Sequence, residues 1–197
     1  WESGNLLRQA LFNFRNRDTR LVDQNNDKRI DVMRTTASGN VFVWLNKTDN
    51  RWSSAFTPAL PNPNLGVAHS NVHMADMNGD RLQDLVLMEN DHCTWYPARG
   101  FGEYGSPIPM DNPPFGVLDA ARLLMADVNG DGLSDALYVS GGRVRVWLNL
   151  GLNQADHSRG RFARPFTVDA PYTSSVTVFR QADVNGNGSQ DLLWNTH

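Results

Sequence analysis

Cysteine is nearly absent. Cys93 is the only one in 197 residues, so no internal disulfide can form. Long apolar runs are missing too: no stretch approaches the roughly 18 residues of a membrane-spanning helix. No basic-then-apolar start marks a secretory leader. The chain opens on Trp1 without a Met, as expected of a processed product or a piece of a longer protein. Net charge is only −3 and the pI is about 5.9, so there is no electrostatic case for a nucleic acid or an anionic membrane. Lysine is confined to Lys28 and Lys47. The arginines are scattered through strand-like segments, where they cap and pair rather than form a patch. No Ser/His/Asp set, phosphate-binding loop or isolated carboxylate pair is present, so a non-catalytic protein is expected.

What the chain does have is a repeat. Asp127-Val-Asn-Gly-Asp-Gly-Leu-Ser-Asp135 places acid or amide side chains at positions 1, 3, 5 and 9 of a tight loop. Three more stretches follow the pattern: Asp23 to Asp31, Asp76 to Asp84 and Asp183 to Asp191. The starts lie 53, 51 and 56 residues apart. A period of this size signals a repeat architecture.

A hard cation explains the spacing. Calcium takes six to eight oxygens at about 2.3–2.6 Å. The expected ligands are Asp127, Asn129, Asp131 and Asp135, with the Leu133 carbonyl, and Asp76, Asn78, Asp80 and Asp84, with the Leu82 carbonyl. The other two loops offer Asp23, Asn25, Asp27 and Asp31, and Asp183, Asn185, Asn187 and Asp191. Lys28 and Arg29 bring positive charge to the first of these, and Asn187 costs the second a carboxylate, so both should bind calcium more weakly. Gly at position 4 or 6 permits a left-handed backbone. The competing reading is that the Asx side chains only cap their own turns. An EF-hand is excluded: it needs an acid at position 12, where this chain has Arg34, Leu87, Tyr138 and Trp194.

The segments around the loops read as strands. A first strand enters each loop (Thr19–Val22, Val72–Ala75, Leu123–Ala126) and a second leaves it (Ile30–Arg34, Leu85–Met88, Ala136–Val139). A third carries a tryptophan: Trp44, Trp95 or Trp147. A fourth is expected at Trp52–Phe56, Tyr104–Ile108 and Phe162–Val168. Short strands rich in β-branched and aromatic residues, bounded by turns, indicate an all-β chain. The third strands are apolar on both faces, so both faces should be covered, as in a β-propeller of four-stranded antiparallel blades. The whole of 1–197 is expected to be one partial propeller, about three blades plus parts, with units near 18–60, 70–110, 120–170 and 176–197. Residues 1–17 are expected to add a strand. The three tryptophans should fill equivalent buried sites. His69 and His73 have a metal-like spacing but no second pair. His92 and Cys93, adjacent on a strand, should face opposite ways.

These loops and strands resemble the FG-GAP/VCBS repeats of integrin-α-type propellers, over about residues 18–194. The resemblance implies calcium in the loop between a blade's first two strands. The runs at 126–135, 144–149 and 182–195 are similar to the propeller in the B component of bacterial insecticidal toxin complexes (the SpvB/TcdB middle region). That implies a piece of a large secreted, extracellular bacterial toxin, whose partners are other protein components. In that family the propeller joins the B–C shell to the translocation channel and helps gate it. The alternative is an adhesion or carbohydrate-binding propeller, integrin- or lectin-like, with a glycan as partner.

Overall fold

The computed structural model describes residues 15–48, 51–116, 119–155, 157–171 and 178–195. The strand expected within residues 1–17 falls almost wholly outside them. Seventeen strands and two short 3-10 turns account for the regular structure of the described residues.

The strands group around the four Asp loops. Around loop 23–31 lie β1 (Thr19–Val22), β2 (Asp31–Thr35) and β3 (Val41–Trp44). Around loop 76–84 lie β4 (Val72–Ala75), β5 (Asp84–Glu89), β6 (His92–Tyr96), β7 (Ala98–Gly100), β8 (Glu103–Tyr104) and β9 (Ile108–Asp111). Around loop 127–135 lie β10 (Leu123–Ala126), β11 (Asp135–Ser140), β12 (Arg143–Trp147), β13 (Asn149–Leu152), β14 (Gly160–Phe162) and β15 (Phe166–Asp169). The strands β16 (Val178–Ala182) and β17 (Asp191–Asn195) flank loop 183–191. We call these groups units 1 to 4.

Unit 3 makes an antiparallel sheet in the order β10-β11-β12-β15. Unit 2 repeats it as β4-β5-β6-β9. Both are four-stranded blades, and the chain is a partial β-propeller, as the two-faced apolar strands predict.

Strand alternation gives each blade one face toward the preceding unit and one toward the next. Leu85, Leu87 and Tyr96 of unit 2 share a core with Met33, Val41 and Val43 of unit 1. Val86, Met88, Cys93 and Trp95 face the other way and meet Met125, Ala136 and Trp147 of unit 3. Leu137, Val139, Val144 and Val146 in turn meet Phe179 of unit 4. The hydrophobic effect thus acts between blades, and each interface carries its own core.

The fourth strands depart from expectation. In unit 1, Trp52–Phe56 runs beside β3 only through separate pairs, Val43↔Phe56, Asn46↔Trp52 and Asn40↔Ala59. The Ser53 hydroxyl takes the Leu45 N–H, and Pro58 has no N–H to give. In unit 2 the outer strand is Ile108–Asp111, and Tyr104 ends a hairpin instead. Gly100, Phe101 and Gly102 all hold positive φ and turn that hairpin, while Pro107 interrupts the run that follows. In unit 3, Phe162 belongs to β14, and the outer strand begins at Phe166, after Pro165.

These hairpins reach backwards. The β13–β14 pair extends unit 2's sheet, with β14 running parallel to β9 at Gly160↔Met110 and Arg161↔Asp111. Arg159 pairs with Asp111 beside the joint. The β7–β8 hairpin stays a separate two-stranded sheet but touches loop 23–31 of unit 1: the Phe101 N–H donates to the Gln24 carbonyl (3.0 Å) and the Gly102 N–H to Gln24 Oε1 (2.9 Å).

The tryptophan row is not one row. Trp44 stands opposite Val32 and Trp147 opposite Ala136, each one residue past the last Asp of its loop. In unit 2 that partner, Leu85, faces Tyr96. Trp95 is one residue earlier and therefore on the opposite face. All three tryptophans are buried, but Trp95 and Trp147 approach one core from opposite sides.

Candidate functional site: the four Asp loops

Every loop is wound the same way by its own side chains. The position-1 carboxylate accepts the N–H of position 6, at 2.8–2.9 Å: Asp23 from Lys28, Asp76 from Arg81, Asp127 from Gly132 and Asp183 from Gly188. The position-3 amide oxygen accepts the N–H of position 5: Asn25 from Asp27, Asn78 from Asp80, Asn129 from Asp131 and Asn185 from Asn187. Position 5 accepts the N–H of position 7 at 2.8–2.9 Å, from Arg29, Leu82, Leu133 and Ser189.

These bonds force positions 4 and 6 into the left-handed region. In loop 127–135 both are glycine, Gly130 (φ 78) and Gly132 (φ 89). In loop 23–31 the same bends fall on Asn26 (φ 57) and Lys28 (φ 67), and in loop 76–84 position 6 is Arg81 (φ 71). A side-chain-bearing residue there costs roughly 1–2 kcal/mol. The loop shape survives without glycine, so the Asx network sets it.

Position 9 is a latch. Asp135 Oδ2 accepts the Val128 N–H (3.1 Å) and its Oδ1 the Asn149 N–H (2.7 Å), tying the loop to the end of the third strand. Asp84 does the same with Met77 and Ala98, and Asp31 with Gln24 and Asn46. Asp31, Asp84 and Asp135 are completely buried. Burial pushes Asp84 up to about 7 and Asp135 up to about 6, against the pull of their two N–H donors. The other carboxylates of each loop add to the rise: Asp80 and Asp76 for Asp84, Asp131 and Asp127 for Asp135.

Loops 23–31, 76–84 and 127–135 therefore gather oxygen donors at a cost in charge, and the donor set of such a loop suits a hard cation. Among the described residues, no three acidic, His or Cys side chains already enclose a common point as a metal cage. The loops as folded spend their oxygens on backbone N–H groups. In loop 23–31, Asp27 is also paired with Arg29. The sequence assigns positions 1, 3, 5 and 9 to one task. The structure gives position 9 the latch, which the sequence reading missed. Its signal is an Asp opening a strand in all four units.

The other flagged residues lie elsewhere. Cys93 is buried in a core, which pushes its thiol up, while His92 is exposed beside Asp91. His69 is exposed, and the His73 ring is desolvated, which lowers it to about 4.

Comparison with known proteins follows the same lines. Solved structures share the fold at low sequence identity. The Photorhabdus luminescens Tc holotoxin pore aligns with a TM-score of 0.69 and 23% identity, over 90% of this chain and 8% of that one. The TcdB2–TccC3 structure gives 0.55 and 24%, over 79% and 8%. An Agrocybe aegerita lectin that recognises non-reducing terminal N-acetylglucosamine gives 0.65 and 20%, over 88% and 45%. The chain thus spans only a small part of the toxin chains it resembles. No curated protein matches it. The FG-GAP-like repeat family matches residues 23–87 and 127–194, each stretch opening on the first Asp of a loop. With two thirds of its length accounted for in this way, the chain belongs to the FG-GAP-like repeat family.

Proposed function

We propose that this chain is a non-catalytic, calcium-loop propeller module of a secreted bacterial toxin complex. Its role is to assemble with, or gate, the component that forms the translocation channel. The observation that carries this reading is the likeness of 90% of the chain to a stretch of the Photorhabdus luminescens Tc holotoxin pore. The buried Asp84 and Asp135, each raised further by the other two carboxylates of its loop, support the calcium part. Asp127, Asn129, Asp131 and Asp135, with the Leu133 carbonyl, would hold one ion. Asp76, Asn78, Asp80 and Asp84, with the Leu82 carbonyl, would hold another. A bound ion supplies charge neutralisation and stitches a blade's first two strands. Calcium sites of extracellular modules operate near 10⁻⁴–10⁻³ M.

A second reading, carbohydrate binding, draws on the lectin likeness. One experiment separates the two. The chain, immobilised in calcium, is offered a purified Tc channel-forming component and a glycan array. Saturable binding of the channel component, lost in chelator, supports the toxin module. Saturable glycan binding alone replaces it with the lectin, and binding of neither refutes both.

A further inference from the structure

The loops are joined to one another. Ser134, at position 8 of its loop, donates its N–H to the carbonyl of Asp76, position 1 of the preceding loop, at 2.7 Å. Gln190, again at position 8, donates to the carbonyl of Asp127 at 2.6 Å. The neighbouring side chains follow the same step: Leu133 lies over Gly79, and Ser189 lies over Gly130. The step is not made between the first two loops. Among the described residues, Gln83 has no such bond to Asp23. A cavity of 310 Å³ lies there instead, lined by Arg20, Leu21, Asp23, Met74, Arg81 and Gln83.

We propose that loops 76–84, 127–135 and 183–191 bind calcium as one coupled series, with loop 23–31 outside it. This rests on the calcium reading above. The coupling element is a single peptide group. The Leu133–Ser134 peptide presents its carbonyl as the position-7 ligand of its own loop and its N–H to Asp76, a ligand residue of the loop before. The Ser189–Gln190 peptide does the same toward Asp127. An ion on the carbonyl polarises the group and strengthens its N–H as a donor. It also fixes the peptide plane, so the preceding loop closes onto an ordered neighbour. Repulsion between the ions opposes this and is screened by salt, so the coupling should persist as ionic strength rises.

The test is a calcium titration of the full chain by NMR, following the Gly79, Gly130, Gly132, Gly186 and Gly188 amides so that each loop is read separately. Asp131→Asn should raise the dissociation constant of loop 76–84 about fivefold or more, and Asp80→Asn should do the same to loop 127–135, since coupling is reciprocal. Asp27→Asn should leave both within about twofold. Asn187→Asp restores a carboxylate to loop 183–191 and should tighten loop 127–135, a gain that partial unfolding cannot imitate. If calcium shifts the loops but every variant leaves its neighbours within twofold, the coupling is wrong and the calcium reading stands. If calcium moves none of these amides, both are wrong.

Discussion

Units 1 and 3 carry the same loop with different surroundings. Loop 23–31 has no glycine, holds two left-handed side-chain-bearing residues and neutralises Asp27 with Arg29. Loop 127–135 has glycine at both bends and no basic residue. Both nevertheless share the Asx bonds that accept the N–H groups of positions 5, 6 and 7, and the same buried latch. The other oxygen of position 1 takes the Gly130 N–H in loop 127–135 and the Asn25 and Asp27 N–H groups in loop 23–31. The difference teaches that loop shape and loop chemistry are specified separately. Shape comes from where the acceptors stand, and cation affinity from what charge surrounds them.

The largest effect should lie in the cores behind the two loops. Trp147 is wholly buried between units 2 and 3, whereas Trp44 keeps 7% of its surface exposed. Trp147→Ala should cost about 3–5 kcal/mol, and Trp44→Ala should cost at least about 1 kcal/mol less. Denaturant unfolding of both variants decides it; equal losses would make the two units energetically alike. The latch should not discriminate. Asp135→Ala and Asp31→Ala each orphan one buried and one half-buried N–H group at about 1–3 kcal/mol apiece, and in chelator their losses should agree within about 1 kcal/mol. A mild Asp31→Ala would show that unit 1 folds without its latch.

Calcium should discriminate. Present at a hundred times its dissociation constant, it should stabilise the chain by about 2.7 kcal/mol per site. Thermal unfolding with calcium and with chelator should show Asp131→Asn losing more of that gain than Asp27→Asn. The reverse order would break the charge argument, and no calcium effect at all would leave the loops as Asx turns alone. The smallest effect is at the bends. Lys28→Gly should stabilise by about 1 kcal/mol, and Gly132→Ala should destabilise by a similar amount. A neutral Lys28→Gly would mean that the lysine makes a compensating contact worth as much as its strain.

Much of this was legible in the sequence. The 1-3-5-9 spacing located all four loops, and the two-faced apolar strands located the stacked blades. The tryptophan register was misread, although in units 2 and 3, whose second and third strands are joined by turns of equal length, the count was available. Tyr96 and Trp147 both stand twelve residues after the last Asp of their loop, and Trp95 stands eleven. A step of one residue crosses a sheet, and matching by residue type hid it. The outer strands were misplaced because Gly105, Pro107 and Pro165 break runs whose composition still favours β structure. The links between loops were invisible for a different reason. They are made by backbone N–H and carbonyl groups, which every residue but proline carries, so no side chain announces them.

The backward-reaching hairpin has a consequence for synthesis. Among the described residues, the edge of β9, ending at Asp111, is covered only by β14, which begins at Gly160. A ribosome adding about 5–20 residues per second leaves that edge bare for several seconds after the blade itself is complete. During this interval it is an open template for a strand from another chain. Pro109, without an N–H to offer, and the charge of Asp111 sit on the strand that waits. Unit 2 is thus closed by its successor, and its maturation runs one unit behind the growing end.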